Sequence, residues 1–309
     1  MLNPVHLRTL SAVIRTGSFA DAARRLGYTG SAVSQQIAAL ERAVRVPLFE
    51  RDPHSIRATP AAEFLAERAH DVLAALGALE DDMRGMIEGS VGRLRLGSFP
   101  TASEQLLPLA LASYLKSHPA VEIELDEGEP DELIPLLQDA ELDMALVYRY
   151  DLVPYTWPRS LVATPLLDEE LILLLPANHR LVGSSTIALT DLADETWVSS
   201  REGTAGATCL TRMCAPAGFT PRVDFRSNDY DVIRGFVGSG LGIALVPALG
   251  HVPSNDIVST GVDWLTVRRQ VTALHRSVVV SSAVTAALDA LKTAAVDLAS
   301  QQAGVSVTA

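Results

Sequence analysis

The first 60 residues carry apolar positions at helical spacing. Residues 4–16 predict a helix, and the members of its core face are Leu7, Leu10, Val13 and Ile14. Two further helices are predicted for residues 18–26 and 29–44. The apolar stripe of the third helix consists of Val33, Ile37, Leu40 and Val44. The segment therefore predicts a small domain of three helices.

The residues between the second and third helices suit a tight turn. Ser18 followed by Asp21 is typical of a helix start. Gly27 stands where a helix end favours glycine, and Thr29 can cap the next helix. The pattern is that of a helix-turn-helix, although an ordinary helical hairpin with a solvated polar face fits the same spacing.

The polar face of the third helix suits the major groove of DNA. It carries small or hydrogen-bonding side chains and one arginine, namely Ser31, Ser34, Gln35, Ala38 and Arg42. Such side chains can reach base edges when a helix lies in the groove.

The segment after the third helix predicts a wing. Asp52-Pro53-His54-Ser55 is a turn signal, and a short strand follows over residues 56–58. Arg51 and Arg57 flank the turn, where they can meet phosphates or a minor groove; the alternative is that they are plain surface arginines. Residues 1–59 thus predict a winged helix-turn-helix, with candidate DNA-binding residues Ser18, Ser31, Ser34, Gln35, Arg42, Arg51 and Arg57.

Residues 60–89 predict one long helix with a heptad stripe. The stripe consists of Leu65, Ala69, Val72, Leu76, Leu79, Met83 and Met86. A strict heptad repeat favours a coiled contact between two chains over packing within one chain. The candidate dimerisation residues are Leu65, Val72, Leu76, Leu79 and Met83.

From residue 90 the pattern alternates strands and helices, which indicates an α/β body with mostly parallel strands. The first lobe (about 90–161 and 268–301) has predicted strands at 93–98, 121–126 and 143–148 and helices at 103–117 and 131–139. The second lobe (about 162–267) has predicted strands at 162–167, 170–175, 196–200, 222–226 and 242–246 and helices at 204–217 and 229–238. A strand at 272–280 and a helix at 282–300 return to the first lobe, and residues 302–309 are a loose tail.

Charge divides the chain at the same boundary. The whole chain has a formal net charge of −12, but residues 1–60 hold eight Arg and four acidic residues, or +4, which leaves −16 for residues 61–309. A basic head attracts phosphates, and an acidic body discourages unspecific binding along DNA.

Neither a signal peptide nor an apolar run of the ~20 residues that span a bilayer is visible. We therefore expect a cytoplasmic protein without a membrane partner.

Motifs from end to end are similar to those of one family. In the N-terminal region they are Gly17-Ser18-Phe19, Ala22-Ala23, Leu26, Ala32-Val33-Ser34, Gln36-Ile37, Leu40-Glu41, Leu48-Phe49, Arg51 and Ala58-Thr59. In the body they are Leu107-Pro108, Leu142-Asp143, Leu192-Ala193, Ala217-Gly218-Phe219, Pro221, Gly238-Ser239-Gly240-Leu241-Gly242 and Val246-Pro247. With these motifs the whole chain resembles a LysR-type transcriptional regulator.

The resemblance implies an α/β fold with an N-terminal winged helix-turn-helix, a long linker helix and a two-lobed effector domain like a periplasmic binding protein. It implies a homodimer or homotetramer on double-stranded promoter DNA. It also implies a small-molecule effector in the cleft that changes how the tetramer bends DNA, and it leaves room for contact with RNA polymerase.

The start of the third helix departs from the family pattern. The family often has Gln-Pro where this chain has Gly30-Ser31, and Gln35 replaces a common Arg. Base readout must differ there, because Gln prefers adenine edges and Arg prefers guanine.

Segments that follow predicted strands are candidates for the effector site. In α/β folds ligands bind beyond the carboxyl ends of strands, and helix starts offer free N–H groups. The candidates are Thr101, Ala102, Ser103, Tyr148, Arg149, Ser200, Arg201, Thr204 and Asn228. Arg149 and Arg201 would favour an anionic effector if both face the cleft. The alternative is that the hydroxyls merely cap their own helices.

Other chemistry finds little support in the sequence. The Gly238-x-Gly240-x-Gly242 spacing is wrong for a dinucleotide loop, the His residues lack metal-ligand spacing, and a Gly-x-Ser-x-Gly elbow is absent. Cys214 matches the resolving position of the family's peroxide sensors, but the peroxidatic position falls on Ala205. We expect neither a cofactor, a metal nor catalysis. A solute-binding module without DNA function and an α/β enzyme remain the competing interpretations.

Overall fold

The computed structural model describes residues 2–52, 55–88, 93–277 and 281–308. Residues 2–58, called the head below, begin with three helices: α1 (Pro4–Thr16), α2 (Phe19–Leu26) and α3 (Gly30–Val44). Two short antiparallel strands follow, β1 (Phe49–Asp52) and β2 (Ser55–Ala58). The predicted winged helix-turn-helix is therefore present.

The turn between α2 and α3 forms as its residues predict. The Ser18 hydroxyl accepts a hydrogen bond from the Asp21 amide, and Gly27 adopts a φ of 69° after the end of α2. The Thr29 hydroxyl accepts from the Ala32 amide at 3.2 Å. Local hydrogen bonds thus determine where each helix begins and ends.

The head has its own hydrophobic core. Val33, Ile37 and Leu40 of α3 are fully buried, as predicted, against Leu10 and Val13 of α1. The wing is attached to this core, because Phe49 of β1 packs edge-on against Phe19 of α2.

A single long helix, α4 (Pro60–Glu88), leaves the head. Its 29 residues span about 44 Å at ~1.5 Å per residue. One stripe of its first half packs within the chain and joins the head core, and its members are Ala62, Ala66, Ala69 and Leu73. The heptad repeat had favoured a contact between two chains over such packing, and that contact stays a prediction.

The predicted heptad stripe shares Ala69 with that buried stripe, and its Leu65 packs partly against the head core, whereas most of its later positions are exposed. Val72, Leu79 and Met83 are 51%, 58% and 48% exposed, and Leu65 and Leu76 are half-buried. The side chain of Met86 lies outside the described residues. The helix therefore presents one apolar stripe to its own head and a second to its surroundings.

The first lobe contains three parallel strands and three helices. The strands are β3 (Arg93–Ser98), β4 (Glu122–Glu127) and β5 (Met144–Tyr150). The helices are α5 (Pro100–Gln105), α6 (Leu107–Ser117) and α7 (Pro130–Gln138). The single helix predicted for residues 103–117 is wrong; it is divided at Leu106, because Pro108 has no N–H to continue the hydrogen-bond ladder.

Two antiparallel strands, β6 (Leu161–Pro176) and β11 (Arg268–Arg276), join the lobes. The first half of β6 pairs with β11 in the sheet of the first lobe. Its second half pairs with β9 (Ala244–Pro247) and β10 (Ile257–Thr260). The predicted separate strands at 162–167 and 170–175 are therefore one strand, and the crossing lies near residue 169 rather than 161.

The second lobe adds a small parallel sheet and two helices. The strands are β7 (Thr196–Ser199) and β8 (Arg222–Arg226), and the helices are α8 (Ala205–Cys214) and α9 (Tyr230–Gly238). Since β6 and β11 pair antiparallel with their neighbours, the whole arrangement is mixed rather than mostly parallel as predicted.

The C-terminal region differs from the prediction in two places. The last long strand, β11, begins at Arg268 rather than at residue 272, and residues 278–280 lie outside the described residues. After α10 (Ser282–Gln301), a short strand β12 (Val305–Val307) pairs with β6 at residues 167–169. The predicted loose tail is therefore wrong; it is an extra strand at the crossing.

A buried ion pair connects the two crossing strands. The Arg269 Nε and Nη2 atoms each lie 2.8 Å from Oε1 of Glu169, and the two side chains are 1% and 0% exposed. Oε2 of Glu169 accepts from the Leu249 amide. The Arg269 guanidinium also lies between the rings of Phe99 and Tyr148, 5.0 and 4.9 Å from their centroids.

Each of the two charges stabilises the other in a buried site. Burial disfavours the charged guanidinium, but the Glu169 carboxylate and three neighbouring tyrosines outweigh burial and raise the Arg269 pKa. Burial raises the pKa of Glu169, while Arg269 and the Leu249 amide oppose that change. Removal of either partner would leave the other charge buried and unpaired.

We expect Arg269→Met to lower the free energy of unfolding by about 3–5 kcal/mol, because Glu169 loses its partner in an apolar site. The double variant Arg269→Met/Glu169→Leu removes the orphaned carboxyl and should recover most of that loss. Urea unfolding followed by circular dichroism measures both variants.

The neighbouring arginine provides the control. Arg268 pairs with Glu170 on the surface, so Arg268→Met should cost less than about 1 kcal/mol. A double variant as unstable as Arg269→Met alone would contradict the assignment of the loss to an unpaired charge.

Candidate functional site

The candidate DNA-binding side chains occupy the outer face of α3 and the wing. Ser31, Gln35 and Arg42 are exposed, and Ser34 is half-buried beside them. Arg57 is exposed on β2, whereas the side chain of Arg51 lies outside the described residues. Ser18 serves as the cap of α2, so its hydroxyl already has a structural role. The structure thus presents a continuous polar face on α3 opposite its buried stripe.

The turn next to this face carries further exposed groups that the sequence did not single out. Tyr28 is exposed between α2 and α3. Arg24 pairs with Asp21, and the hydrogen bond and charge of Arg24 hold the pKa of the Asp21 carboxyl below its usual value. Asp21 therefore stays ionised and offsets part of the positive charge of α2.

The cleft between the lobes has two open regions, and the first brings Tyr148, Arg149 and Thr204 together. It has an open volume of about 700 Å³ and includes Glu129 and Trp157 in its walls. The Arg149 guanidinium donates to Oε1 of Gln270. Three of the predicted effector residues thus face one cavity.

The second region is the wider mouth of the cleft, with an open volume of about 1170 Å³. Ser103, Arg201 and Asn228 line it, and the Arg201 amide donates to Asn228 Oδ1. Six carboxylates surround the same space, from Glu104, Glu127, Glu129, Glu132, Asp229 and Asp231. The mouth is therefore strongly acidic, and the single positive charge of Arg201 does not reverse the negative charge of its walls.

The other candidates are in the cleft walls rather than at its surface. Thr101 and Ala102 are buried, and the Thr101 hydroxyl accepts from Arg269 Nη2 at 2.7 Å. Thr204 caps α8 through the Ala207 amide and donates to the Arg201 carbonyl. The capping alternative thus holds for Thr204, which nevertheless faces the first cavity.

Ser200 lines a narrower cavity, with an empty volume of about 380 Å³, together with Tyr150, Cys209 and Tyr230. Burial raises the pKa of the Tyr150 and Tyr230 phenols, which lie close to each other. Both rings therefore remain neutral hydrogen-bonding groups at the inner end of the cleft.

Glu129 is the most informative residue that sequence reasoning missed. It directly precedes α7 and accepts a hydrogen bond from the Tyr148 hydroxyl. Burial raises the pKa of Glu129, and the Tyr148 hydrogen bond opposes that change. The sequence signal that could have identified Glu129 is the Glu129-Pro130 pair. Proline often occupies the first position of a helix, so a polar residue before it marks the end of the loop that follows a strand.

Arg269 and Glu169 were also missed. Each is the central member of a polar triplet between apolar residues, Asp168-Glu169-Glu170 and Arg268-Arg269-Gln270. When the pairing of the strands is unknown, such a triplet looks like a surface turn, so the sequence does not identify its central residue as buried.

The two cysteines are buried and free. Burial raises the pKa of Cys209 to about 12 and that of Cys214 to about 11. Thiols of this kind are poor nucleophiles near neutral pH, since the thiolate is the reactive form. Burial thus keeps both thiols in their less reactive protonated form.

In the described ranges, clusters of three or more His, Cys, Asp or Glu side chains with metal-binding geometry are absent. The helices described are all too short or too polar to cross a membrane.

Comparison with known proteins assigns both parts of the chain. Residues 4–63 match the family model of the bacterial regulatory helix-turn-helix protein, lysR family, and residues 88–296 match the LysR substrate binding domain. The transcriptional dual regulator GltC of Bacillus subtilis is 31% identical over 218 residues, which cover 70% of this chain and 71% of that protein.

Solved structures show the same architecture over the full length. A full-length OxyR variant from Pseudomonas aeruginosa matches with a TM-score of 0.62 at 22% identity, covering 98% of both chains. Full-length CbnR in complex with its target DNA matches with a TM-score of 0.56 at 23% identity, covering 95% of this chain and 100% of that one. The chain therefore belongs to the LysR family of DNA-binding transcriptional regulators, with an N-terminal helix-turn-helix and a C-terminal effector-binding domain.

Proposed function

We propose that the protein acts in the cytoplasm as a homo-oligomer that binds promoter DNA through α3 and the wing, under the control of a small molecule in the inter-lobe cleft. The observation that carries this proposal is the pairing of an exposed polar face on α3 with an open two-lobed cleft in one chain. Its output is a change in DNA occupancy rather than chemical turnover, and RNA polymerase is the partner through which that change would affect transcription.

The DNA contacts divide into two kinds. Ser31, Ser34 and Gln35 lie on the first turns of α3 and can reach base edges, whereas Arg42 and Arg57 are placed for phosphates. Arg51 remains a proposed phosphate contact from its position on β1. The amide of Gln35 can pair in a bidentate way with adenine, so a preference for adenine is expected beneath it.

The exposed stripe of α4 is the proposed dimer contact. Val72, Leu79 and Met83 offer exposed apolar side chains along the helix, and Leu65 and Leu76 extend the stripe. Pairing with the same stripe of a second chain would remove this surface from water. A pair of dimers through the effector domains would give the tetramer.

The acidic mouth changes the expected charge of the effector. Six carboxylates around the mouth oppose the entry of an anion, and Arg149 is engaged by Gln270. These contacts favour a neutral or positively charged effector over the anionic one that Arg149 and Arg201 suggested from sequence. Tyr148, Ser200, Thr204 and Asn228 would supply the neutral hydrogen bonds.

We expect Gln35→Ala to weaken binding to the operator by about 1–3 kcal/mol, with little change on a scrambled duplex, because it removes a base contact. Arg57→Ala should weaken binding to both duplexes equally and reduce the salt slope by about one unit, because it removes a phosphate contact. Fluorescence anisotropy at several salt concentrations separates the two effects.

Gln301→Ala removes an exposed glutamine at the end of α10 and serves as the control for the DNA-binding variants. Equal losses for Gln35→Ala on both duplexes would contradict base readout by α3.

We expect Leu79→Asp, and likewise Val72→Asp, to shift the protein towards monomers, because a carboxylate would be buried in the apolar seam. Light scattering after size-exclusion chromatography measures the mass. Leu241→Asp makes the same chemical change at an exposed position of the second lobe and should leave the mass unaltered. An unchanged oligomer in both α4 variants would place the dimer contact elsewhere.

A further inference from the structure

One carboxylate of the effector domain contacts both the head and the linker helix. Asp139 follows the last residue of α7. Its Oδ2 accepts from Arg15 Nη1 of α1 at 2.6 Å, and its Oδ1 lies 3.4 Å from His70 Nε2 of α4. The side chains of Asp139, Arg15 and His70 are only 10%, 20% and 16% exposed. The head and the linker helix thus meet the first lobe at one shielded polar contact.

Asp139 does not serve its own helix. The C-terminal end of a helix carries partial negative charge, so an acidic residue there is unfavourable for α7, and its last turn contains no basic residue. A mostly buried carboxylate also requires a charged or hydrogen-bonding partner. Arg15 of the head and His70 of the linker helix lie beside the carboxylate and are these partners. Asp139 therefore acts between the two parts of the chain.

The helix that carries Asp139 extends from the cleft to the head. Its other end is preceded by Glu129, which accepts from Tyr148 inside the cleft. Leu133 and Leu137 fix α7 to the sheet of the first lobe. Arg276 of β11 donates to the carbonyls of Leu137 and Leu142 at the Asp139 end. α7 therefore connects the cleft to Asp139 through packed and hydrogen-bonded residues of the first lobe.

Two features of this contact would allow the head and the first lobe to separate. The head and the first lobe have separate hydrophobic cores, so no shared apolar layer holds them together in the described part of the chain. Within that part, Nε of Arg15 and Nδ1 of His70 are buried without a hydrogen-bond partner. Such unsatisfied groups regain water when the contact separates, which favours release.

We propose that Asp139 is an intramolecular latch that holds the head against the first lobe of the same chain, and that occupancy of the cleft regulates DNA binding by closing or releasing it. The regulatory part rests on the proposed function. The latch itself concerns only contacts within the chain and can be tested without DNA or effector.

Spin-label distance measurements on the full-length protein test the latch. Arg25→Cys on α2 and Lys116→Cys on α6 place labels on exposed positions of the head and the first lobe, and the two native cysteines are buried. Dilution with an excess of unlabelled chains isolates the distance within one chain. The latched protein should give a single narrow distance distribution.

We expect Asp139→Ala and Arg15→Ala each to broaden that distribution, and the double variant to broaden it no further, because both remove the same contact. The charge-reversed pair Arg15→Asp/Asp139→Arg should restore the narrow distribution. Glu141→Gln removes one exposed carboxylate two residues away and should match the unmodified protein. Asp139→Asn keeps the side-chain shape and is the second variant if alanine unfolds the end of α7.

Distributions for Asp139→Ala, Asp139→Asn and Arg15→Ala that match that of Glu141→Gln would overturn the latch. Anisotropy with DNA on the same proteins keeps the two proposals distinguishable. If the protein binds its operator but substitution of Asp139 does not change the label distance, only the latch proposal is refuted. Failure of the unmodified protein to bind DNA refutes the proposed function, while the distance result still decides the latch.

Discussion

The buried ion pair of Arg269 and Glu169 joins the two strands that connect the lobes of the effector domain. β6 and β11 cross between the lobes at these residues, and β12 adds a third strand at the same level. The pair also reaches the cleft, because Arg269 donates to Thr101 and lies against Tyr148. Tyr148 in turn donates to Glu129 at the start of α7. The position of each lobe, the wall of the cleft and the helix that faces the head therefore depend on one desolvated charge pair.

Local features of the head followed from the sequence because they depend on nearby residues. The caps at Ser18 and Thr29, the glycine at position 27 and the stripe on α3 are each determined within one or two helical turns. The heptad stripe of α4 was recognised, but not the second stripe beside it. Ala62 and Ala66 are small enough to be overlooked, and their burial depends on where the head folds back.

Features of the body that join distant residues were not predictable in this way. Glu169 and Arg269 are 100 residues apart, and each stands in a charged run that looks like a surface turn. The tail was read as loose because a three-residue strand has no periodicity; its pairing with β6 requires the partner strand to be in place. The candidate effector hydroxyls follow strands in the structure, but the charge of the cleft comes from carboxylates of three separate segments.

The exposed polar face of α3 and the division of charge between head and body together imply that the head recognises a particular DNA sequence while the acidic body limits unspecific binding. Anisotropy of the full-length protein against the DNA upstream of its own coding region, and against a scrambled duplex, tests it at low and moderate salt. We expect tight binding to the upstream DNA that survives the added salt, and weak binding to the scrambled duplex that does not. Equal, salt-sensitive binding to both, or binding to neither, would contradict it.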